Sequence, residues 1–333
     1  MLAPTHSRVA VVMPVLDDWI SFSMVLAGIE QHFARTGLRF LVVAVDDGSS
    51  LRMADNSAIL PVEGCIDAIE VIQLAINLGH QRAIAVGLAL IARREDIDTV
   101  IVMDSDGEDR PADIAMLLAA ANENPEQVVL AQRTQRSEGL GFRIGYVAYK
   151  LLFRLMTGRV IDFGNFCLLP ISVVRRLVHM PDLWNNLPAA IMRSRLPRVA
   201  VPTMRGIRFA GRSHMKLPSL VLHGLSAMSV YADQIFVRML LGAGLAGTVT
   251  VLGTIIVVII RFGTSFGVPG WASTMIGDLF IVLMQTIIIA VATTLMVLGN
   301  RSQRPIVPIA DAPTFVVHHE QVTAEETRDA DAT

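Results

Sequence analysis

The chain has 333 residues, 53% of them hydrophobic, and a formal net charge of -2, which allows one large or two modest domains. Its two cysteines, Cys65 and Cys167, lie far apart, which excludes a disulfide framework and a cysteine-based metal centre and fits a reducing compartment. The charge is uneven: residues 1–130 carry 19 acids against 8 Lys/Arg, and residues 133–216 carry 3 acids against 15. That split predicts a cation site in the first part and an anion-handling surface in the second. Sparse aromatics and the lack of a binding motif argue against nucleic acid as the anion.

At the N-terminus, MLAPTHSRVA has no apolar run long enough for a secretion signal. Val9–Pro14, Phe40–Val45, Glu70–Leu74, Thr99–Met103 and Val128–Gln132 are short runs rich in Val and Ile, the pattern of buried strands. Between them Trp19–Thr36, Gln81–Arg94 and Pro111–Asn122 carry helical patterns, and Pro111 suits a first turn. This alternation predicts an α/β fold, a mostly parallel sheet with helices on both faces. Ligands of such sheets bind beyond the carboxyl ends of the strands.

Residues 133–216 are basic and less regular, and close a domain over 1–216. Residues 217–238 read as one or two amphipathic helices at the level of lipid headgroups. Met239–Ile260 and Leu279–Gly299 are charge-free runs of 22 and 21 residues. Each is long enough to cross about 30 Å of hydrocarbon as a helix. They make residues 239–300 a pair of transmembrane helices, and the flanking arginines place both ends in the cytoplasm. The segment 301–333 holds prolines and ends in EETRDADAT, which predicts a cytoplasmic tail without structure.

Three predicted strands end in acidic or small polar residues. The fourth runs straight into Asp104, Ser105, Asp106, Gly107, Glu108 and Asp109. Like charges repel, so such a cluster calls for a cation. Asp104 and Asp106, two apart with Gly107 permitting a tight turn, can face one hard ion, Mg²⁺ or Mn²⁺, whose other positions go to water and phosphate oxygens. Asp46 and Asp47, in VDDGSS, can accept hydrogen bonds from a base or a ribose. In NLGHQRA, the backbone around Asn77 and Gly79 at a helix start suits an anion, and Arg82 adds charge.

These motifs resemble glycosyltransferase family 2, whose fold is GT-A-like, a Rossmann-like sheet domain. VVMPVLDD, with Pro14 and Asp17, stands where that family begins with a strand, a proline and an acidic turn. VDDGSS is similar to its nucleotide-binding motif, NLGHQRAIAVGL to its Asn-x-Gly motif, and MDSDGEDRP to its metal motif. The order of QRTQR, YKLLFRLMTGRVIDFGNFCLL, RGIRFAGRSHMKL and two C-terminal spans resembles the polyprenyl-phosphate branch, which includes dolichol-phosphate mannose synthases and bacterial undecaprenyl-phosphate glycosyltransferases. The chain departs from that branch at Asn165 and Cys167, where Asp and Arg are usual, at His214 in place of Lys, and at Glu108, where Gln is common.

The resemblance implies a metal-dependent inverting glycosyltransferase at the cytoplasmic face of the inner membrane. Pro14, Asp17, Asp46, Asp47, Asn77, Gly79, Arg82 and Asp104 would bind a UDP- or GDP-sugar, and Asp104, Asp106 and Glu108 the metal. Arg133 or Arg136 would steady the departing diphosphate. Arg136, Arg205, Arg208, Arg212, Ser213 and Lys216 would hold a polyprenyl phosphate. A phosphomonoester with its second pKa near 6 needs no strong base. A hydroxyl acceptor on another lipid would need one, and Asp162 is the local carboxylate. A third reading is an inactive membrane partner that binds nucleotide sugar. Association into a homo-oligomer is open to all three.

Overall fold

The computed structural model of the protein describes residues 8–51, 53, 64–133, 150–161, 163–210, 224–263 and 270–323. The chain divides into two compact units. The first holds Met1–Val147, Val160–Val230 and Ile306–Thr333, and the second holds Ala148–Arg159 and Tyr231–Pro305.

The first unit opens with β1 (Arg8–Val15), α1 (Trp19–Phe33), β2 (Arg39–Asp46), β3 (Ile66–Leu74), α2 (His80–Ile91) and β4 (Thr99–Val102). A single 3-10 turn at Pro111–Asp113 leads into α3 (Ile114–Glu123) and β5 (Val128–Arg133). Beyond the second unit's first segment come β6 (Cys167–Pro170), α5 (Ile171–Leu177), α6 (Asp182–Asn185), α7 (Leu187–Ser194) and β7 (Arg198–Thr203). The sheet has eight strands in the order β7-β5-β6-β4-β1-β2-β3-β8. Its neighbours are parallel except where β6 meets β4 and β5 and where β8 meets β3. This is the mostly parallel α/β architecture expected from the alternation of Val/Ile runs and helical patterns, and the GT-A-like sheet domain that the family resemblance implied.

Seven of the eight residues of β1 are buried, because helices cover both faces and the strand cannot alternate with polar residues. The strand period of two still operates. Ala10 and Val12 join the core under α2, whereas Val9, Val11 and Met13 join the core under α1 and α3. α2 lies so close to the sheet that a Cβ on Gly87 would stand 2.6 Å from Val12 Cγ1. Its register fixes where its N-terminus meets the strand ends.

The C-terminal tail corrects the sequence reading. Instead of lacking structure, it forms α11 (Pro308–Asp311), a 3-10 turn (Ala312–Phe315) and β8 (Val316–Thr323). β8 pairs antiparallel with β3 from Ala68↔Thr323 to Leu74↔Val316. Ala312 is fully buried, and Ile306, Ile309, Phe315 and Val316 pack on the α2-side core. The Phe315 ring lies 5.1 Å from that of Trp184. The cause is the open edge of β3: its unpaired backbone groups and apolar flank attract an extended segment, a tertiary effect that the tail's polar composition conceals.

A short helix α8 (224–229) belongs to the first unit; in the second unit, a helix α4 (150–157) precedes α9 (Ala232–Gly263) and α10 (Trp271–Ser302). The Phe153 ring stands edge-on to Tyr231 at 5.9 Å, and the Arg238 guanidinium donates to Leu155 O at 2.6 Å. α9 and α10 are long and apolar enough to cross a membrane, with mean hydropathy 2.4 in each. Only 11% and 6% of their most apolar windows is buried, unlike core helices of a soluble domain. They meet along a heptad seam. Ala243, Gly247, Thr250, Thr254 and Val257 of α9, and Ile276, Leu279, Leu283, Thr286, Ala290, Thr293 and Val297 of α10, are among the shielded positions. A 3-4 spacing of this kind is the signature of a left-handed helix pair.

Candidate active site

The carboxyl ends of β1, β2, β3 and β4 deliver four loops to one edge of the sheet. Hydrogen bonds lock these loops together. The Ser105 hydroxyl donates to Pro14 O at 2.9 Å, tying the acidic turn to β1. Asp17 sits at φ +53°, its N–H donating to Ser49 Oγ at 2.9 Å while its Oδ1 accepts from Ser50 N–H at 2.7 Å. Asp46 accepts from Ser49 N–H at 2.8 Å. Asp47 accepts from Leu78 N–H at 2.7 Å and Gly79 N–H at 3.0 Å, and burial pushes its carboxyl pKa up against those N–H groups. Asp46 and Asp47 are both almost fully buried, so they form the floor that joins the second and third loops.

In the fourth loop Gly107, at φ +90°, makes the turn that lets Glu108 N–H donate to Asp106 Oδ1 at 2.9 Å. Asp109, buried, accepts from Asp104 N–H at 2.9 Å. Burial raises the Asp106 pKa to about 6, helped by the charges of Asp104 and Glu108. The strain of like charge inferred from the sequence is therefore present in the fold.

Two sets of polar groups answer it. His80 Nε2 lies 3.1 Å from Asp104 Oδ1. Desolvation by the surrounding protein opposes charge on that imidazole, but Asp104, with Asp109 and Asp47 behind it, holds its pKa above the ordinary value. Asn165 Nδ2 is 2.9 Å from the same His80 nitrogen. Gln81 then donates to Asn165 Oδ1 at 2.9 Å and accepts from Leu187 N–H at 2.8 Å. The second set lies after β7. Arg208 pairs with Asp106 at 3.0 Å and also with Asp18, and Arg205 grips Glu108 through contacts of 2.8–3.1 Å.

The segment carrying these arginines lies directly on the acidic turn. Gly206 N–H donates to Glu108 O at 2.8 Å and Phe209 N–H to Asp106 O at 3.0 Å. A Cβ on Gly206 would stand 2.2 Å from Gly107 O, and one on Gly107 would stand 2.5 Å from the Phe209 ring. Both glycines are required by this close approach.

The structure thus brings together Pro14, Asp17, Asp46, Asp47, Gly79, Asp104, Asp106, Glu108, Arg205 and Arg208. Asn77 is exposed on the third loop. Arg82 is turned to the Trp184 ring, 5.9 Å from its centroid. The backbone of Arg133 ends β5 opposite Thr203. Its side chain, and Arg136, Asp162, Arg212, Ser213 and Lys216, lie outside the described residues. The sequence reading gave no site role to His80, Gln81, Asp18 or Asp109. His80 and Gln81 stood within a quoted motif, and Asn165 was noted only as a departure; what links them is contact across 84–85 positions. Cys167 is a core residue of β6, its thiol pKa pushed up by burial.

Among the described residues no group of three or more His, Cys, Asp or Glu side chains is arranged to hold a metal alone. Asp104 and Asp106 are two carboxylates on one turn, with Glu108 drawn to Arg205. That donor set fits a hard divalent ion completed by water and diphosphate oxygens.

A family model described as Glycosyl transferase family 2 matches residues 10–172. Among solved structures, a mannosyl-3-phosphoglycerate synthase from Rubrobacter xylanophilus is 17% identical over 69% of this chain and 74% of that one, with a TM-score of 0.50; this likeness shows the fold. A glucosyl-3-phosphoglycerate synthase from Mycobacterium tuberculosis, in complex with Mn²⁺, UDP-glucose and phosphoglyceric acid, is 16% identical over 69% of this chain and 80% of that one, with a TM-score of 0.45. Residues 10–172 are a glycosyl transferase family 2 domain, and the chain is a glycosyltransferase.

Proposed function

We propose that this glycosyltransferase moves a sugar from a UDP- or GDP-sugar to a polyprenyl phosphate, with inversion, at the cytoplasmic face of a membrane. The observation that carries the reading is the seating of Arg205 and Arg208 on the Asp104–Asp106 turn. It joins a place for a divalent cation to guanidinium groups suited to a phosphate. The acceptor oxygen is already ionised near neutral pH, so no strong base has to be found beside it. When bound at Asp104 and Asp106, Mg²⁺ or Mn²⁺ supplies charge stabilisation for the departing diphosphate. His80, 3.1 Å from Asp104 Oδ1, keeps the Asp104 side chain in place. Mn²⁺ and UDP-glucose in the M. tuberculosis enzyme are in keeping with this reading. Purified protein in detergent, given UDP- and GDP-sugars with undecaprenyl phosphate, should yield a glycosylated lipid phosphate by mass. Products on hydroxyl lipids alone would overturn the reading.

Arg208→Ala should raise the Michaelis constant for the lipid phosphate roughly tenfold or more, since a charge-assisted hydrogen bond contributes about 1.5–3 kcal/mol. The constant for nucleotide sugar should change far less. The measurement belongs in neutral detergent micelles, where general attraction to anionic headgroups vanishes. An unchanged lipid constant would remove Arg208 from acceptor recognition.

The membrane topology follows the same reading. The chain leaves the first unit after Val230 and returns to it at Ile306, and β8 is part of the sheet. Two spans between those points bring the return to the starting side, and the arginine flanks assign that side to the cytoplasm. A Cys introduced at Ser265 should react with an impermeant maleimide from outside intact cells, and one at Thr314 should not. The reverse pattern would overturn the orientation.

A further inference from the structure

We propose that the outer face of α10, centred on Gln285, is the contact surface for a second copy of this chain. The proposal rests on α9 and α10 being membrane spans. Gln285 lies seven residues past Asp278, about 10 Å along the helix, and so well inside the hydrocarbon. It is two positions from Leu283 on the α9 seam, and it is exposed on the far side of α10. Its amide makes no hydrogen bond among the described residues. Five threonines in these helices are satisfied locally: Thr248, Thr250, Thr254, Thr286 and Thr294 each donate to the carbonyl four residues back at 2.8–2.9 Å. A primary amide left in lipid carries its full desolvation cost.

The seven-residue repeat extends the argument. One heptad apart on the exposed face lie Asp278, Gln285, Ala292 and Gly299, flanked by Ile281, Met284, Ile288 and Val291. Within the hydrocarbon the positions in line with Gln285 are small, and small residues let a second helix approach closely. Copies in one membrane present α10 in the same direction, so a two-fold axis along the membrane normal sets Gln285 opposite its own counterpart. An amide both donates and accepts, so the pair satisfies itself. A lipid chain offers neither group, which favours the second copy as occupant.

The test uses the full chain in its own membranes, washed with alkaline carbonate. Ala292→Cys, one heptad from Gln285 on the same exposed face, should give a disulfide-linked species of twice the chain mass on oxidation, and Leu283→Cys, which faces α9, should not. Cys65 and Cys167 are buried and give no background. In neutral micelles, Gln285→Leu should weaken the dimer about tenfold, and Gln285→Asn less. Release of the protein by carbonate would overturn the membrane reading, and the proposal with it. If the protein stays in the membrane, three results would overturn the proposal alone: no cross-link at Ala292→Cys, a cross-link to a species of another mass, or wild-type dimerisation of Gln285→Leu.

Discussion

Asp106→Asn should lose about 10³-fold or more in turnover and, at the same time, melt at a higher temperature than the wild-type protein without metal. The loss follows from removing a charged metal ligand, several kcal/mol of transition-state stabilisation. The gain follows from burial. The Asp106 pKa is raised from 3.8 to about 6 in the fold, so the folded state binds more protons than the unfolded one between those values. The metal-free fold therefore gains stability as pH falls through that window and bears the full cost of the ionised group above it. Two pKa units correspond to about 3 kcal/mol. That shift already contains the opposing pull of Arg208; the weaker hydrogen bonds a neutral amide makes offset part of the gain, leaving about 1–2 kcal/mol, or several degrees. Thermal melts with EDTA, and with Mn²⁺, separate the two effects: Mn²⁺ should stabilise the wild type and leave Asp106→Asn unmoved. A variant with normal turnover, or a wild type indifferent to EDTA, would remove the metal from the proposed chemistry.

Truncation after Pro305 should destabilise the catalytic domain by several kcal/mol, enough to send most of the protein into aggregates at 37 °C. The cut removes β8 from the edge of β3, the fully buried Ala312, and the Phe315 ring packed on Trp184. It also takes His319 from Glu70, which is buried and otherwise holds Arg94. Phe315→Ala is the milder form, losing part of one aromatic contact, about 2–3 kcal/mol by analogy with larger core deletions. Unfolding in detergent followed by the fluorescence of Trp184 would measure both. A truncated protein as stable as the full chain would show that β8 contributes nothing to the sheet. An exposed β3 edge also invites pairing with other chains, so loss of solubility should accompany loss of stability.

The tail illustrates where local reading stops. VVHHEQVT has a strand's composition only weakly, and nothing within it announces β3 as a partner 249 positions away. β6 was hidden for a similar reason: Cys167–Pro170 lies in the basic, less regular stretch and is poor in Val and Ile, and its place between β4 and β5 comes from pairing. The helix boundaries, by contrast, were legible. The α2 pattern was read as Gln81–Arg94 against an observed His80–Ile91, because apolar spacing and a glycine before the first turn are local properties.

The sequence by itself determined the α/β class, the two long apolar helices and the acidic turn. Each depends on side-chain type at short spacing: Val/Ile runs buried on both faces, more than twenty residues without charge, and Asp104, Asp106 and Gly107 within one bend. Only the tertiary structure decided which cations answer those carboxylates. His80 reaches Asp104 from the start of α2, Asn165 reaches His80 from the approach to β6, and Arg208 reaches Asp106 across 102 positions. Electrostatic pairing depends on distance in space, and the packing of α2 on β1 and of Gly206 on Gly107 sets those distances.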